Sequence, residues 1–371
     1  MPHPLISWIV SILILTTARA EEASLKRAFA DDFLIGAAVN RRQFSDESNA
    51  DRPIIEKHFN TITAENALKW ESIHRQPGAF NFQAADSFVE FGETRGMRII
   101  GHTLVWHSQT PRWVFQDEGG NPISRELLLE RMREHILRVV GRYKGRIHGW
   151  DVVNEALNDD GSLRQSPWMR IVGQDYLVKA FQWAHEADPD AELYYNDYSL
   201  HRPDKRAGVL RLVQMLKDAG VRITAIGMQA HYRLETPELA LIEESVKAYA
   251  STGLKVMFTE LDIKAIPTPG PGSADISQRI DGEDRWNPYP QGLPDAVQQQ
   301  LAQRYAALFR MLLDHRDSVT RVTFWGVTDQ SSWLNNFPIR GRTDYPLLFG
   351  RDRLPKPAFH AVIQLRGQGG E

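Results

Sequence analysis

The stretch IHGWDVVNE, residues 147–155, is apolar through its centre and ends in two polar residues, Asn154 and Glu155. A short apolar run of this kind is typical of a buried β-strand. Glu155 then lies where the predicted strand ends. It is either an ordinary acidic residue of a solvent-exposed loop or one member of a catalytic pair, and a second glutamate in a matching place would favour the pair.

Seven further runs have the same apolar interior and a polar or aromatic end. They are FLIGAAVN (33–40), FNTITAEN (59–66), MRIIGHTLVW (97–106), ELYYND (192–197), ITAIGMQAHY (223–232), KVMFTELD (255–262) and RVTFWGVTD (321–329). Segments with helical spacing separate the runs. Eight strand–helix units in one chain predict an α/β fold, a single (β/α)8 TIM barrel, whose carboxyl-terminal strand ends form the active face.

The segment 124–145 illustrates the helical spacing. Its apolar residues recur on one face, Ser124 suits the N-cap and Gly145 suits the C-cap. The Pro- and Gly-rich stretch 264–294 predicts a long loop after the seventh strand.

Composition narrows the class of function. The 371 residues are 42% hydrophobic and carry a net charge of -3, which is ordinary for a globular protein. No basic run is long enough to follow a phosphate backbone, which argues against nucleic acid as a partner. The chain has no cysteine, so disulfides, thiol catalysis and cysteine-ligated metals are excluded.

The first twenty residues have the features of a signal peptide. An apolar run of 11 residues, LISWIVSILIL (5–15), is followed by TTARA (16–20), which has the small-x-small pattern of a cleavage site at Ala18 and Ala20. We predict cleavage after Ala20, export to the periplasm or the medium, and no membrane association thereafter. Residues 21–371 would form the catalytic domain. An uncleaved N-terminal anchor is the alternative.

Glu260 ends the seventh run as Glu155 ends the fourth. In a closed barrel the two strand ends share one rim, and two carboxylates facing each other across a cleft are what glycosidic hydrolysis requires. A negative Glu260 would also raise the pKa of Glu155 toward that of a general acid. Structural ion pairs or helix caps are the alternative roles for the two glutamates.

Three neighbours support the pair. Asp262 lies two residues after Glu260, so both side chains point the same way in a straight strand. His231, at the end of the sixth run, could bridge them and keep Glu260 ionised. Asn154 could bind a substrate hydroxyl beside the reacting carbon.

Aromatic and polar side chains at other strand ends suit a sugar, whose ring faces are apolar and whose edge carries hydroxyls. Trp106, Trp325 and Trp333 could form stacking platforms. Glu65, Asn66 and Lys69 could contact hydroxyls, although the four-residue spacing of Glu65 and Lys69 also fits an ion pair on a helix surface.

Several blocks together resemble the signature of family 10 glycoside hydrolases, the retaining endo-β-1,4-xylanases. They are TAENALKWE (63–71), GHTLVWHSQTPRW (101–113), DVVNEAL (151–157), IGMQAHY (226–232), FTELDI (258–263), FWGVTDQSSW (324–333) and KPAF (356–359). The resemblance extends over roughly residues 30 to 363, in the order of the family.

This resemblance implies that Glu155 is the acid/base, that Glu260 is the nucleophile, and that Asp262 supports His231. Further residues would bind substrate: Asn154, Gln229, His102 and Trp106 in the reactive subsite, Glu65, Asn66 and Lys69 around the next sugar, and Trp325 and Trp333 as stacking walls. It implies xylan or xylo-oligosaccharides as substrate and no metal or other cofactor. We expect a monomer.

The sequence departs from the family pattern at Ser199, where Asn is frequent, and at Gly350, where Asp is common. Other functions remain open. The barrel could cut another β-1,4-glycan such as cellulose or mannan, or bind a glycan without cutting it. It could also be a metal-dependent hydrolase that uses His102, His107 and His231.

Overall fold

Parallel strands close into a barrel in the computed structural model, which describes residues 23–268, 275, 280 and 284–367. The strands in this part of the chain are β1 Leu34–Val39, β2 Thr61–Ala64, β3 Arg98–Val105, β4 Gly149–Asn154, β5 Glu192–Asp197, β6 Ala225–Met228, β7 His231–Arg233, β8 Lys255–Lys264 and β9 Val319–Phe324. Consecutive strands pair from β1 to β6, and the barrel closes through the pairings β6–β8, β8–β9 and β9–β1. The predicted (β/α)8 barrel is confirmed.

The sixth barrel position consists of two short strands. Both β6 and β7 pair with β8, and Gln229 and Ala230 separate them. Ala230 has a φ of 64°, in the left-handed region that an L-residue seldom adopts. The sequence predicted one continuous run here, so this break is a correction.

Helices lie between the strands along the chain. Within the described residues they are α1 Leu25–Ala28, α2 Arg41–Ser45, α3 Arg52–His58, α4 Trp70–Ile73, α5 Gln83–Glu93, α6 Arg125–Arg142, α7 Pro167–Val172, α8 Asp175–Ala187, α9 Pro203–Asp218, α10 Leu239–Ala250, α11 Asp295–Asp314 and α12 Pro357–Gly367. Short 3-10 turns occupy Arg112–Val114, Asp284–Trp286, Asp329–Ser331 and Trp333–Asn335.

The longer helices follow from capping and spacing. In α6 the Ser124 side chain accepts a hydrogen bond from the Leu127 amide, as its N-cap position predicts. The apolar residues of its inner face are buried in the core: Leu128, Met132, Ile136 and Val139. The helix ends at Arg142 with Tyr143 as its C-cap, so the prediction of Gly145 as the C-cap is wrong by two residues. Gly145 has a φ of 71° in the turn that follows.

Close packing requires a glycine on β3 opposite a tryptophan on β4. Trp150 on β4 is fully buried, and a Cβ atom at Gly101, its partner in the register of the two strands, would lie 2.1 Å from its ring. Only glycine fits opposite this indole.

Two predictions fall wholly or partly outside the described residues. The predicted signal peptide 1–20 lies before them. The predicted loop 264–294 is described only in part, and β8 continues to Lys264, two residues further than the seventh run predicted. Among the helices described, none is both long and apolar enough to span a membrane.

Candidate active site

The predicted site residues meet at the carboxyl-terminal end of the barrel. A cavity of about 130 Å³ is lined by Glu65, Asn66, Lys69, His102, Trp106, Gln109, Asn154, Glu155, Gln229, His231, Glu260, Trp325 and Trp333. Asp262, the one predicted residue outside this lining, contacts His231 from behind. Gln109 is the one lining residue that the sequence did not predict.

Glu155 follows the last residue of β4 in a constrained backbone conformation. Its φ is 58°, so it occupies the left-handed region although it is not glycine. Its amide donates to the carbonyl of Asn196 at 2.9 Å, and its own carbonyl accepts from Nε of Arg164 at 3.1 Å. These contacts hold a turn that directs the carboxyl group into the cavity.

The Glu155 carboxyl group is buried and hydrogen-bonded. Trp106 Nε1 donates to Oε2 at 2.8 Å, and Gln229 Nε2 donates to Oε1 at 2.9 Å. Burial raises the pKa of Glu155 to about 7, the negative charge of Asp197 adds to this, and the two hydrogen bonds oppose it. The carboxyl group can therefore hold a proton near neutral pH.

The Glu260 carboxylate has the opposite character. Asn196 Nδ2 donates to Oε1 at 2.8 Å, and His231 Nε2 lies 3.3 Å from Oε2. Burial alone would raise the pKa of Glu260, but the hydrogen bond from His231 and the charges of His102 and His231 hold it below its ordinary value. This glutamate therefore remains ionised.

His231 is held in its charged form by two acids. Its Nδ1 lies 3.0 Å from Oδ2 of Asp262, which also accepts from Trp333 Nε1 at 2.7 Å. Burial alone would lower the pKa of His231, but Asp262 and Glu260 outweigh it and raise the pKa to about 9. The predicted contacts of His231 with both acids are present.

Asn196 was missed as a site residue, although it ends the fifth predicted run. Its Nδ2 donates to Glu260, its Oδ1 accepts from Thr259 at 2.6 Å, and its amide contacts the side-chain amide of Asn154 at 2.9 Å. The Asn154 amide in turn lies 3.3 Å from Oε1 of Glu155. One chain of amides thus connects the two carboxyl groups.

Asp197 is a further residue near the site that was missed. It is fully buried behind Glu155, where it forms an ion pair of 2.8 Å with Lys205 and accepts from the hydroxyl of Tyr195 at 2.5 Å. The sequence shows it only as a polar residue at a strand end. Its effect on the pKa of Glu155 depends on packing between β4 and β5, which no local pattern reports.

Comparison with known proteins places this geometry in a family. The sequence model described as Glycosyl hydrolase family 10 matches residues 24–365. The chain belongs to glycosyl hydrolase family 10. Endo-1,4-beta-xylanase A of Xylanibacter ruminicola is 44% identical over 355 residues, which is 95% of this chain and 96% of that protein.

Solved structures of the family agree with the fold. A family 10 endoxylanase from a sugarcane soil metagenome has a TM-score of 0.90 at 45% identity, over 92% of this chain and all of that one. An intracellular xylanase of Thermoanaerobacterium saccharolyticum, solved as a mutant with xylotriose, has a TM-score of 0.81 at 36% identity, over 93% and 99% of the two chains.

Lys69 and its neighbours form the polar wall of this family 10 pocket. Lys69 is buried at the N-cap of α4 and not on a helix surface, so the alternative of a surface ion pair with Glu65 is wrong. Its Nζ donates to Gln109 Oε1 at 2.8 Å and Asn66 Oδ1 at 3.0 Å, and it lies 5.0 Å from the Trp106 ring centroid. Burial lowers the pKa of Lys69 and raises that of Glu65.

Two tryptophans form apolar walls. The Trp325 ring meets the edge of the His102 ring at 5.3 Å between centroids, and Trp333 stacks on Phe337 at 4.7 Å. Trp333 is fixed further by its hydrogen bond to Asp262. Rigid rings of this kind offer flat apolar surfaces to a sugar.

The three histidines of the alternative hypothesis, a metal-dependent hydrolase, contact different acidic residues. His102 Nδ1 lies 2.9 Å from Asp151, His231 contacts Glu260 and Asp262, and His107 lies 3.9 Å from Glu155. In the part of the chain that the structure describes, no group of three or more His, Asp or Glu residues is arranged to hold a metal ion. The geometry of these histidines does not support a metal-dependent hydrolase.

The two departures from the family pattern have local explanations. Ser199 has a φ of 55°, a conformation that Asn tolerates better than Ser, so the frequent Asn would fit the backbone more easily. At Gly350 a Cβ atom would lie 2.6 Å from Oδ1 of Asp352, so an aspartate there would require Asp352 to move. Neither residue lines the cavity.

Proposed function

We propose that the chain is an endo-1,4-β-xylanase that hydrolyses internal β-1,4-xylosidic bonds with retention of anomeric configuration. The observation that carries the proposal is the contrast between two carboxyl groups in one cavity, Glu155 with a pKa raised to about 7 and Glu260 with a lowered pKa. Opposed pKa values are the expected signature of an acid and a nucleophile.

In the first step Glu260 attacks the anomeric carbon and forms a glycosyl ester as the bond to the glycosidic oxygen breaks. Glu155 gives its proton to that oxygen, which leaves as an alcohol. In the second step water attacks the anomeric carbon, Glu155 takes the proton of the water, and Glu260 is released as a carboxylate. Retention requires a carboxyl separation of about 5–5.5 Å.

The other side chains orient the substrate. His231 holds the charge and position of Glu260, with Asp262 behind it, while Asn154 and Gln229 offer polar groups beside the reacting carbon. We assign Glu65, Asn66 and Lys69 to the adjoining sugar on the non-reducing side, and His102, Trp106, Trp325 and Trp333 to the walls of the subsites.

A polymeric substrate is supported by a groove beside the cavity. The groove has a volume of about 1060 Å³ and shares Glu65, Asn66 and Gln109 with the catalytic cavity. The groove leaves room for further sugars beyond the one bound by Glu65 and Asn66, as a polymeric substrate requires. The relative from Xylanibacter ruminicola is named an endo-xylanase, and the Thermoanaerobacterium saccharolyticum structure contains xylotriose.

The test is the hydrolysis of soluble β-1,4-xylan followed by proton NMR in heavy water. Oligosaccharides that appear first as the β-anomer support the proposal, whereas the α-anomer first would make Glu260 a base that activates water. Intact xylan with a folded protein would refute xylanase activity, and the same assay on cellulose and mannan would then identify another glycan. Glu155→Gln and Glu260→Gln should each abolish turnover while retaining the fold.

We also propose that residues 1–20 direct export, that cleavage follows Ala20, and that the mature protein acts as a monomer. The apolar run and the small residues Ala18 and Ala20 support the first two points. Mass spectrometry of the exported protein should find a chain beginning at Glu21, and Ala18→Lys should block cleavage. An uncleaved chain in the membrane fraction would refute cleavage and support the N-terminal anchor, and light scattering would test the monomer.

A further inference from the structure

A second cavity lies at the end of the barrel opposite the catalytic site. Its volume is about 390 Å³, and we call it the lower cavity. Its lining consists of Leu34, Arg98, Glu192, Tyr194, Arg222, Thr224, Ala225, Lys255, Met257, Thr320 and Arg321. Arg98, Glu192 and Lys255 are the first residues of β3, β5 and β8, so this cavity opens among the amino-terminal strand ends. The proposed function makes no use of it.

Arg321 is the inner wall of the lower cavity and is only 2% exposed. Its Nε and Nη1 have no hydrogen-bond partner, and its Nη2 contacts the sulfur of Met257 at 3.3 Å. The guanidinium also lies 5.4 Å from the centroid of the Tyr194 ring. Within the described residues no carboxylate comes within 4 Å of it. A buried guanidinium without a counter-charge is unusual, because burial of an unpaired charge is costly.

The other charged residues of the lining are mainly positive. Arg98, Arg222 and Lys255 accompany Arg321, while Glu192 is the one acid in this lining. Glu192 is already paired with Arg98 at 2.7 Å and accepts from the hydroxyl of Tyr194.

The two remaining cations of the rim bond to neutral backbone groups. Lys255 Nζ donates to the carbonyl of Asp317 at 2.8 Å, and Arg222 donates to the carbonyl of Pro189. These contacts hold the two side chains in place without neutralising them. Together with Arg321 they leave an excess of positive charge around one cavity.

We propose that the lower cavity binds a small oxyanion of the phosphate or sulfate class, with Arg321 as its main recognition group. The guanidinium of Arg321 is part of the lining and has no counter-charge among the described residues, so an oxyanion in the cavity would supply the missing negative charge. Arg222 and Lys255 supply further charge at the rim. Because the amino-terminal face of such barrels serves stability, the anion would stabilise the fold without entering catalysis.

The test is isothermal titration calorimetry of the purified protein with inorganic phosphate at constant ionic strength. We expect saturable binding of one phosphate, and Arg321→Met should weaken it by ~tenfold or more, as expected for the loss of a charge-assisted contact. Arg133→Gln removes an equal charge from an exposed pair with Glu186 and should leave the binding unchanged. Direct binding is measured because phosphate also stabilises proteins without a site.

A second variant makes the test independent of whether Arg321→Met folds. The double change Arg222→Gln with Lys255→Gln alters only the rim and should weaken phosphate several-fold. Xylan hydrolysis should be unaffected in every variant, since the catalytic cavity lies at the other end. The proposal is overturned if phosphate shows no saturable binding to the unaltered protein, or if all variants bind it equally.

Discussion

Replacing Trp106 with phenylalanine should move the alkaline limb of the pH profile of kcat/KM upward by about one pH unit. The indole Nε1 donates to Oε2 of Glu155 at 2.8 Å, and this bond favours the ionised carboxylate. In the proposed mechanism Glu155 must be protonated in the free enzyme. The limb therefore reports the pKa of Glu155, which burial raises to about 7.

The magnitude follows from the difference between two hydrogen bonds. A hydrogen bond to a charged group contributes about 1.5–3 kcal/mol, and one to a neutral group about 0.5–1.5 kcal/mol. The ionised form of Glu155 thus loses roughly 1–1.5 kcal/mol more than the protonated form when the donor is removed. One pKa unit corresponds to about 1.36 kcal/mol, which gives an upward shift close to one unit.

The assay is initial-rate hydrolysis of an unactivated xylo-oligosaccharide between about pH 4 and pH 10, a range chosen to bracket both limbs. An unactivated leaving group is required because an aryl leaving group departs without a proton and would hide the acid. Trp106 also lines the cavity, so KM should rise, but the position of the limb does not depend on affinity.

Trp333→Phe is the matched control. It is the same indole-to-phenyl change, but the lost hydrogen bond goes to Asp262 and not to Glu155. The alkaline limb should stay in place in this variant. If Trp106→Phe leaves the alkaline limb unmoved or lowers it, or if Trp333→Phe moves it equally, the role given to Glu155 is wrong.

Three further predictions concern other groups. His231→Phe removes the hydrogen bond that holds down the pKa of Glu260, so the acid limb of the same profile should move to higher pH, and an unmoved limb would contradict the assigned role. Ser199→Asn should raise the free energy of unfolding by roughly 0.5–1 kcal/mol in urea titrations, because Asn tolerates the left-handed backbone better, and a loss would contradict this. Burial lowers the pKa of His74 to about 4 and that of His135 well below 6.5, so the folded state favours their neutral forms. The contribution of these neutral histidines to the free energy of unfolding should be fully present above about pH 6.5 and should decrease as the pH falls toward 4. His135→Phe should reduce the decline in the urea midpoint between pH 7 and pH 5.

The barrel could be predicted from the sequence because its strands are buried on both faces. Such strands appear as short apolar runs, and each of the eight predicted runs overlaps a strand. The interruption of the sixth position could not be predicted. It depends on a left-handed Ala230, and alanine gives no local signal for that conformation.

The carboxylate pair and most of its neighbours could also be predicted, since each follows an apolar run that ends at one rim. Asn196 and Asp197 were visible in the same way but received no role. Their roles depend on residues of the neighbouring strand. The register of β4 and β5 places Asn196 beside Asn154, and three-dimensional packing brings Asp197 close enough to Glu155 to raise its pKa. Gln109 lies in a loop after β3, where no apolar periodicity or motif spacing identifies it as a site residue.

Because the two glutamates share one cavity, the pKa of Glu155 changes during the proposed reaction. The negative charge of Glu260 is one of the causes that keep the pKa of Glu155 high. When Glu260 becomes a neutral ester in the glycosyl intermediate, that charge disappears, and the pKa of Glu155 falls. Glu155 has just given up its proton at that moment, so it stays ionised as the base that the incoming water needs. Release of the sugar restores the charge and prepares Glu155 to be protonated for the next cycle, with no side chain having to move.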